Sequence, residues 1–373
     1  MSASAALPAT PARITVVFLL YRAASEVPGL VETLVRQKHP SRREQSEWLE
    51  ALFMDDASGD DTPRVLEETL RKIGAPAHYR FVPNPHNLGL AATLNKALGL
   101  VRTPYVLTCH LDCRFGREDY VAAMLDLLER HPEAAAITGQ PVLRDPDAMP
   151  FAEKLNVVAN LMDVFPADTR EELVPVGFAE GRCDAFRLEA LAAVGFYDAT
   201  LRTAGEDQVL AAKLRATGYE VYQAPALPYR LSVSGEQDSI LRLARHQWLF
   251  GLAHPYILMR TRGAGEGVAG TRAGGNRRAR ALLRLVQVAS TAIYGIAIVA
   301  LALGRPGLTA GVLLPVSAAK AALFARHLRA VPLTAAEHAR FWLSQPLLDA
   351  AYTVGLAQGL WRALRGAAGR PIG

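Results

Sequence analysis

The sequence predicts an α/β fold: a mostly parallel sheet with helices on both faces, followed by apolar helices. Three observations carry this. First, β-rich runs and helical segments alternate from Ile14 to about Tyr222, the pattern of parallel strands joined by crossover helices. Second, carboxylates follow apolar runs at Asp55, Asp56 and Asp112, and such sheets bind ligands at the carboxyl ends of their strands. Third, after about Leu231 the chain turns arginine- and glycine-rich, then apolar over long stretches.

The first strand is ITVVFLL and the first helix VPGLVETLVRQ. WLEALFM precedes a helix near TPRVLEETLRKIG, and the short strand HYRFV precedes the helical LAATLNKALGLV. YVLTCHLD is the next strand, before the helix EDYVAAMLDLLERH. The opening MSASAALPATPAR has little charge before a short apolar run, so it reads as a tail rather than a leader. Residues 1–12 are therefore a tail and residues 13–231 the globular domain.

Residues 232–284 read as an amphipathic and basic linker, with Arg260, Arg262, Arg272, Arg277, Arg278, Arg280 and Arg284 in a loose glycine-rich stretch. Leu285 to Leu303 carry no charge, GRPG makes a turn, and Leu308 to Ala325 is apolar apart from Lys320. A bilayer-spanning helix needs ~20 apolar residues, so residues 285–325 read as a transmembrane hairpin. Arginine crowds both flanks and only Arg305 lies in the turn. The positive-inside rule then predicts a multi-pass inner-membrane protein with its globular domain in the cytoplasm. Within residues 326–373, FWLSQPLLDAAYTVGLAQGLW either spans the membrane or lies in its interface.

Composition narrows the function. Half of the 373 residues are hydrophobic and the formal net charge is +5. The mean hydropathy of +0.11 is high for a purely soluble enzyme. A basic chain can meet nucleic acid, anionic lipid or phosphorylated substrates. The arginines gather beside the apolar runs rather than among exposed aromatics, which argues against nucleic acid. They suit lipid headgroups or membrane topology alone. YRAASEVPG follows the first strand where a dinucleotide-dependent oxidoreductase would carry GxGxxG. The three cysteines, Cys109, Cys113 and Cys183, form no CxxC pair. Cys109 and His110 point to opposite faces of a strand, so buried reduced thiols are expected rather than a zinc site.

Three clusters hold candidate site residues. In FMDDASGDDT, Asp60 and Asp61 suit a turn and a cap, with Asp61 or Thr62 capping the next helix and Pro63 at its first position. Asp55 and Asp56 are adjacent carboxylates that repel unless something supplies donors, as a base edge or a ribose does. In NPHNLGLAATLNKAL, Asn87 and Gly89 form a turn where backbone approaches a ligand closely, and Asn95 lies in the helix. In TAGEDQVLAAKLRATGYEV, Glu206 and Asp207 open a helix. They either complement its dipole or act as a general base.

Taken in order, ITVVFLLYRA, FMDDASGDDT, NLGLAATLNKALGLVRTPYVLTCHLD, FRLEALAAVGFYD and GEDQVLAAKLRATGYEVY resemble the inverting family 2 glycosyltransferases of the GT-A fold. The resemblance covers about Ile14 to Tyr222, and the hairpin behind it looks like the membrane-anchored, envelope-building members. It implies that Asp56, with Asp55, binds the base of a nucleotide sugar. It implies that Asp112 is the first carboxylate of the family's DxD motif, holding Mg²⁺ or Mn²⁺ beside the diphosphate. Asp207, in the family's ED pair with Glu206, would be the catalytic base, and Arg187 and Gly195 match the acceptor side. The expected reaction is inverting transfer of one sugar to a lipid-linked or glycan acceptor in cell-envelope or exopolysaccharide biosynthesis. The alternative is a membrane scaffold that binds sugar nucleotide without turnover.

Three departures stand out. Tyr21 is followed by Arg22 where the family has asparagine. Arg245, His246, Gln247 and Trp248 replace the QxxRW order of processive members. DxD has become Asp112, Cys113, Arg114. Arg114 is a permanent cation suited to phosphate, so three readings are open. Asp112 holds the metal with the phosphates and water, Arg114 replaces the metal, or the site binds without turnover.

Overall fold

The computed structural model describes residues 12–143, 145–162, 171–201, 204–232, 239–261 and 272–365, without the side chains of 272–278. β1 (Ile14–Leu20) is buried along nearly its whole length, as a strand covered on both faces must be. It is followed by α1 (Val27–Val35), β2 (Leu49–Asp55), α2 (Thr62–Lys72), β3 (Tyr79–Pro83), α3 (Leu90–Leu100) and β4 (Tyr105–Cys109). β1 pairs in parallel with both β2 and β4, and β2 with β3, so this half is ordered β3-β2-β1-β4. Alternate side chains go to opposite faces. Val16, Phe18 and Phe53 pack with Leu30, Leu34 and Met124, while Val17, Leu52 and Val106 pack with Leu94, Leu98 and Leu210.

The second half contains β5 (Cys113–Phe115), α4 (Tyr120–Arg130), β6 (Ala134–Leu143), α5 (Phe151–Ala159), β7 (Val174–Pro175), β8 (Cys183–Arg187), α6 (Leu188–Ala193), α7 (Glu206–Ala216) and β9 (Glu220–Leu231). The sheet continues β4-β8-β6-β9-β5, with β7 on β9. β8 runs antiparallel to β4 and β6, and β5 and β7 antiparallel to β9. The sheet is therefore mixed, where the sequence predicts a mostly parallel one. Alternation of strands and helices reads element type, not direction, and β5 and β8 are short enough to hide inside loops.

Four helices follow: α8 (Ile240–Arg260), α9 (Arg272–Ala302), α10 (Pro306–Ala330) and α11 (Ala335–Leu364). The stretch expected to be a loose linker is instead α8 and the first turns of α9; residues 262–271 lie outside the described residues. Two segments, Ala279–Ala302 and Pro306–Ala330, are long and apolar enough to cross a membrane. Leu285, Ile298, Leu314 and Leu343 point outward.

α11 packs lengthwise on α8. A Cβ on Gly355 would strike the Trp248 carbonyl, one on Gly359 the Leu252 carbonyl, and one on Gly251 the Tyr352 carbonyl. Small residues at this spacing let two helix backbones approach closely, as in membrane helix pairs. Lys320 of α10 pairs with Asp349 of α11 at 2.5 Å, both about 1% exposed, and donates to Gln345 at 3.1 Å. The one charge in the second apolar run thus has its counter-ion on the third helix, as charges at membrane depth do.

Candidate functional site

The carboxyl ends of β1, β2 and β4 open on one edge. Asp55 ends β2, and its carboxylate accepts from the backbone N–H of Ser58 at 3.2 Å and from the Ser58 hydroxyl. Asp56 accepts from the N–H groups of Leu88 (2.8 Å) and Gly89 (2.9 Å) and from Asn84 Nδ2 (2.9 Å), while Asn87 Nδ2 donates to its carbonyl at 3.3 Å. Burial works against the Asp56 charge, but these donors win and hold its carboxyl below the usual range. Gly89, at φ 84°, allows the turn that aims two N–H groups at one carboxylate. The donors expected from a base or ribose are thus already supplied by the chain.

Asp61 is the N-cap residue of α2, as expected, but its side chain pairs on the surface with Arg64, and it is Asp60 that accepts from Thr62 N at 3.0 Å. Thr62 Oγ1 instead accepts from Ala23 N. Asn95 exchanges two 2.9 Å hydrogen bonds with the backbone of Tyr197, tying α3 to the approach of α7. Arg22 adopts the left-handed conformation at φ 51°, where asparagine is at ease and most residues are not. That explains physically why an asparagine suits this position.

Asp112 lies in the turn between β4 and β5, its side chain 15% exposed and 4.0 Å from His110 Nδ1. Its carbonyl accepts from Ser232 N at 2.9 Å. Arg114 is engaged by the chain itself. Its guanidinium pairs with Glu26 at 2.7 Å and donates to the carbonyls of Leu111 (2.7 Å) and Cys113 (2.8 Å), lying against Gly29 of α1. It ties β5 to the first turn of α1. Among the described residues no three His, Cys, Asp or Glu side chains converge to hold a metal. The three thiols are free and buried; Cys109 and Cys183 sulfurs lie 3.6 Å apart across β4 and β8, and burial pushes Cys113 up to about 12.

On the other side of Asp112, β8 and α7 bring a second set of carboxylates together. Glu206 is buried, with Oε2 lacking a hydrogen-bond partner among the described residues. Asp207 accepts from Gln208 N at 2.7 Å. Burial, then the neighbouring Glu206, push it well above the usual carboxylate range. Asp184 is fully buried in β8; one oxygen accepts from Arg182 N at 3.1 Å, and Oδ1 has no geometric hydrogen-bond partner among the described residues. Burial pushes it up to about 6. Burial, reinforced by Asp184, Glu206 and Asp207, likewise raises the Tyr197 phenol well above its ordinary range.

Sequence reasoning missed Asp184, Glu180 and Arg182. The available signal was an acid inside the apolar strand CDAFR, preceded by the charged EGR. Arg187, expected on the acceptor side, is at the opposite end of β8. It pairs in register with Tyr105 while Cys183 pairs with Cys109, stacks on the Tyr105 ring and donates to the Leu128 carbonyl at 2.8 Å. Gly195 forms an open turn at φ 71° before Tyr197.

The helical region grips this second side. Ile257 of α8 packs on Gly205, directly before Glu206, and Leu252 and Tyr256 pack on Val209. Arg260 pairs with Asp198 at 3.0 Å. Glu180 sits between Arg182 (3.8 Å) and Arg280 of α9 (3.3 Å). Gln247 bonds Asn160 at 2.6 Å and Trp248 bonds Gln358 at 2.9 Å, so both serve helix packing.

Residues 15–195 match the sequence profile described as Glycosyl transferase family 2. No curated protein sequence matches significantly. Among solved structures, the chain is similar to the mannosyltransferase PcManGT from Pyrobaculum calidifontis, in complex with GDP-Man and Mn²⁺. Identity is 19% and the TM-score 0.58, over 94% of this chain and 87% of that one. It is also similar to S. aureus TarS 1–349 in complex with UDP-GlcNAc, at 15% identity and a TM-score of 0.45, over 95% and 92% of the two chains. GalNAc-T7 with UDP, GalNAc and Mn²⁺ gives 12% and 0.47, over 72% and 54%.

Proposed function

With residues 15–195 forming a glycosyl transferase family 2 domain in a GT-A fold, we propose that this glycosyltransferase moves a single sugar from a nucleotide donor to a lipid-linked acceptor. The reaction is placed at the cytoplasmic face of the inner membrane, in envelope or exopolysaccharide biosynthesis. The observation that carries the reading is the pair Glu206–Asp207. A buried and a half-buried carboxylate with few donors among the described residues, at the head of a helix and beside strand ends, are groups poised to take a proton. Two helices able to cross a membrane, with α8 packed on that helix head, support the membrane acceptor.

The nucleotide lies across the ends of β1, β2 and β4. Asp56 holds the Asn87–Gly89 turn that borders the base, and Asp55 fixes the turn beside it. Asp207 takes the proton of an acceptor hydroxyl as its oxygen attacks the anomeric carbon. The bond to the nucleoside diphosphate breaks on the opposite side, and the configuration inverts. A single carboxylate, Asp112, suits Mg²⁺ or Mn²⁺ that takes its other ligands from phosphates and water. Such a metal would neutralise charge on the leaving diphosphate. Arg114 acts at one remove, by fixing β5 next to Asp112.

The test is a panel of sugar nucleotides incubated with detergent-solubilised protein, with Asp207→Asn as control. Transfer or hydrolysis that disappears in the variant supports the assignment. Transfer untouched by the substitution removes Asp207 as the base. Full turnover in excess EDTA removes the metal, and nucleotide binding without turnover on any acceptor favours a scaffold.

A further inference from the structure

The start of α9 carries more positive charge than its surroundings answer. Arg280 reaches Glu180 at 3.3 Å, but its Nε is buried without a hydrogen-bond partner among the described residues. One turn on, Arg284 forms no ion pair among the described residues. It donates to the amide oxygens of Gln247 (3.0 Å) and Gln287 (2.8 Å) and lies over the rings of Phe250 (4.5 Å) and Tyr352 (4.9 Å). His246 precedes Gln247 on α8. Burial first, then Arg284 and Arg182, hold its imidazole at about 4, so it is neutral at physiological pH. Glu180 is shared by Arg182 and Arg280; Asp112 lies near Arg182, and Asp349, near Arg284, is already paired with Lys320. A half-buried guanidinium with no ion-pair partner of its own gains when an anion arrives.

We propose that Arg280, Arg284 and His246 form a subsite for the phosphate of the lipid-linked acceptor. The position selects a lipid. The candidate span begins at Ala279, so both arginines sit in its first turns, at the depth of lipid headgroups. Leu282 and Leu285, on the same turns, face outward and suit an acyl or prenyl chain. From there Glu180 and Arg182 lead to β8, whose first residues lie beside His110 and the Asp112 turn. The phosphate is thereby held at the membrane while the reacting hydroxyl end reaches Asp207. The proposal rests on the transferase reading only for the role of the bound lipid as acceptor.

The test measures binding to the detergent-solubilised full chain without donor, using farnesyl phosphate, farnesol and inorganic phosphate. Farnesyl phosphate should bind at least about tenfold tighter than either of the others, as a charge-assisted contact predicts. Arg284→Gln should weaken it by about tenfold or more, and Arg284→Lys by less. Binding of nucleoside diphosphate to the Arg284 variants should be unchanged. Undiminished farnesyl phosphate binding in Arg284→Gln overturns the proposal. Farnesol binding equally well reduces the site to an apolar groove, and inorganic phosphate binding equally well reassigns it to a soluble anion; either overturns it. If Arg284→Gln does not fold, Arg280→Gln is held to the same expectation. Failure of nucleotide binding in the wild-type chain would sink the transferase reading and leave this measurement standing.

Discussion

At the β1–β2 edge, Asp56 is buried and surrounded by donors from Asn84, Leu88 and Gly89, and its carboxyl sits below the usual range. At the β8–α7 edge, Asp184 and Glu206 are buried too, yet each keeps an oxygen without a geometric hydrogen-bond partner among the described residues, and Asp184 and Asp207 are raised. Burial is common to both edges, so the difference lies in what the local backbone offers. A turn with Gly89 in the left-handed region points N–H groups at Asp56, whereas among the described residues Asp207 receives only the N–H of Gln208. The first edge is built to stay charged and still. The second binds a proton more readily than an ordinary carboxylate does, which a structural carboxylate has no use for and a base requires.

The largest effect should come from Asp207→Asn. Transfer should fall by about 10²–10⁴-fold, the range for a lost general base, while melting temperature rises at neutral pH. The sign follows from linkage. A carboxyl raised in the folded state favours its protonated form there, so stability declines as pH climbs from the unfolded value toward the folded one. A neutral amide avoids that decline, so the gap between variant and wild type should close as pH falls. The acid limb of the wild-type rate profile should lie above the ordinary aspartate range. Equal melting curves at all pH values would break the contrast between the two edges.

Next is Asp56→Ala, which leaves two backbone donors and Asn84 unanswered in the interior. A loss of about 3 kcal/mol in denaturant unfolding is expected. Asp184→Asn, by contrast, should be neutral or stabilising, because burial disfavours the charge it removes. A large loss in both variants would show that the two edges are built alike.

The two edges also differ in how far the sequence discloses them. The first lies in apolar runs that end in acids, so Asp55, Asp56 and Asp112 could be named from position alone. The pair Glu206–Asp207 was visible as a helix start, but its opposing partners were not. Asp184 and Arg182 gain their meaning from β8 pairing antiparallel with β4, and strand direction leaves no periodic trace. Resemblance misled at Arg187, because a matched motif does not say which end of a strand a side chain serves. Arg114 suggested a phosphate ligand because Glu26, its partner, lies far away in sequence.

That last pairing yields a smaller test. If Arg114 ties β5 to α1, Arg114→Gln should lower stability by about 1–2 kcal/mol through the lost charged hydrogen bonds, and Glu26→Gln by somewhat less. The KM for donor should change little in either variant. A donor KM raised tenfold with unchanged melting would place the guanidinium at the diphosphate after all.

The smallest effect concerns Arg22, at the end of β1 on the well-satisfied edge. Its φ of 51° is strained for arginine, and its N–H is held by Ser58 Oγ at 3.0 Å, so the backbone cannot relax without releasing the Asp55–Ser58 turn. Asparagine tolerates this conformation because its short side chain can bond locally. Arg22→Asn should therefore stabilise by about 0.5–1 kcal/mol, less a few tenths for the lost stacking on Tyr21, 5.3 Å from the guanidinium. Melting should rise by about 1–3 °C. The exposed side chain makes the second reading testable in the same variant. Stabilisation with unchanged donor KM means the position serves only the turn. Stabilisation with a raised KM means arginine is kept there, against its backbone preference, to meet the donor's phosphates. The first edge would then carry one functional strain of its own, and the contrast with the second would be one of degree.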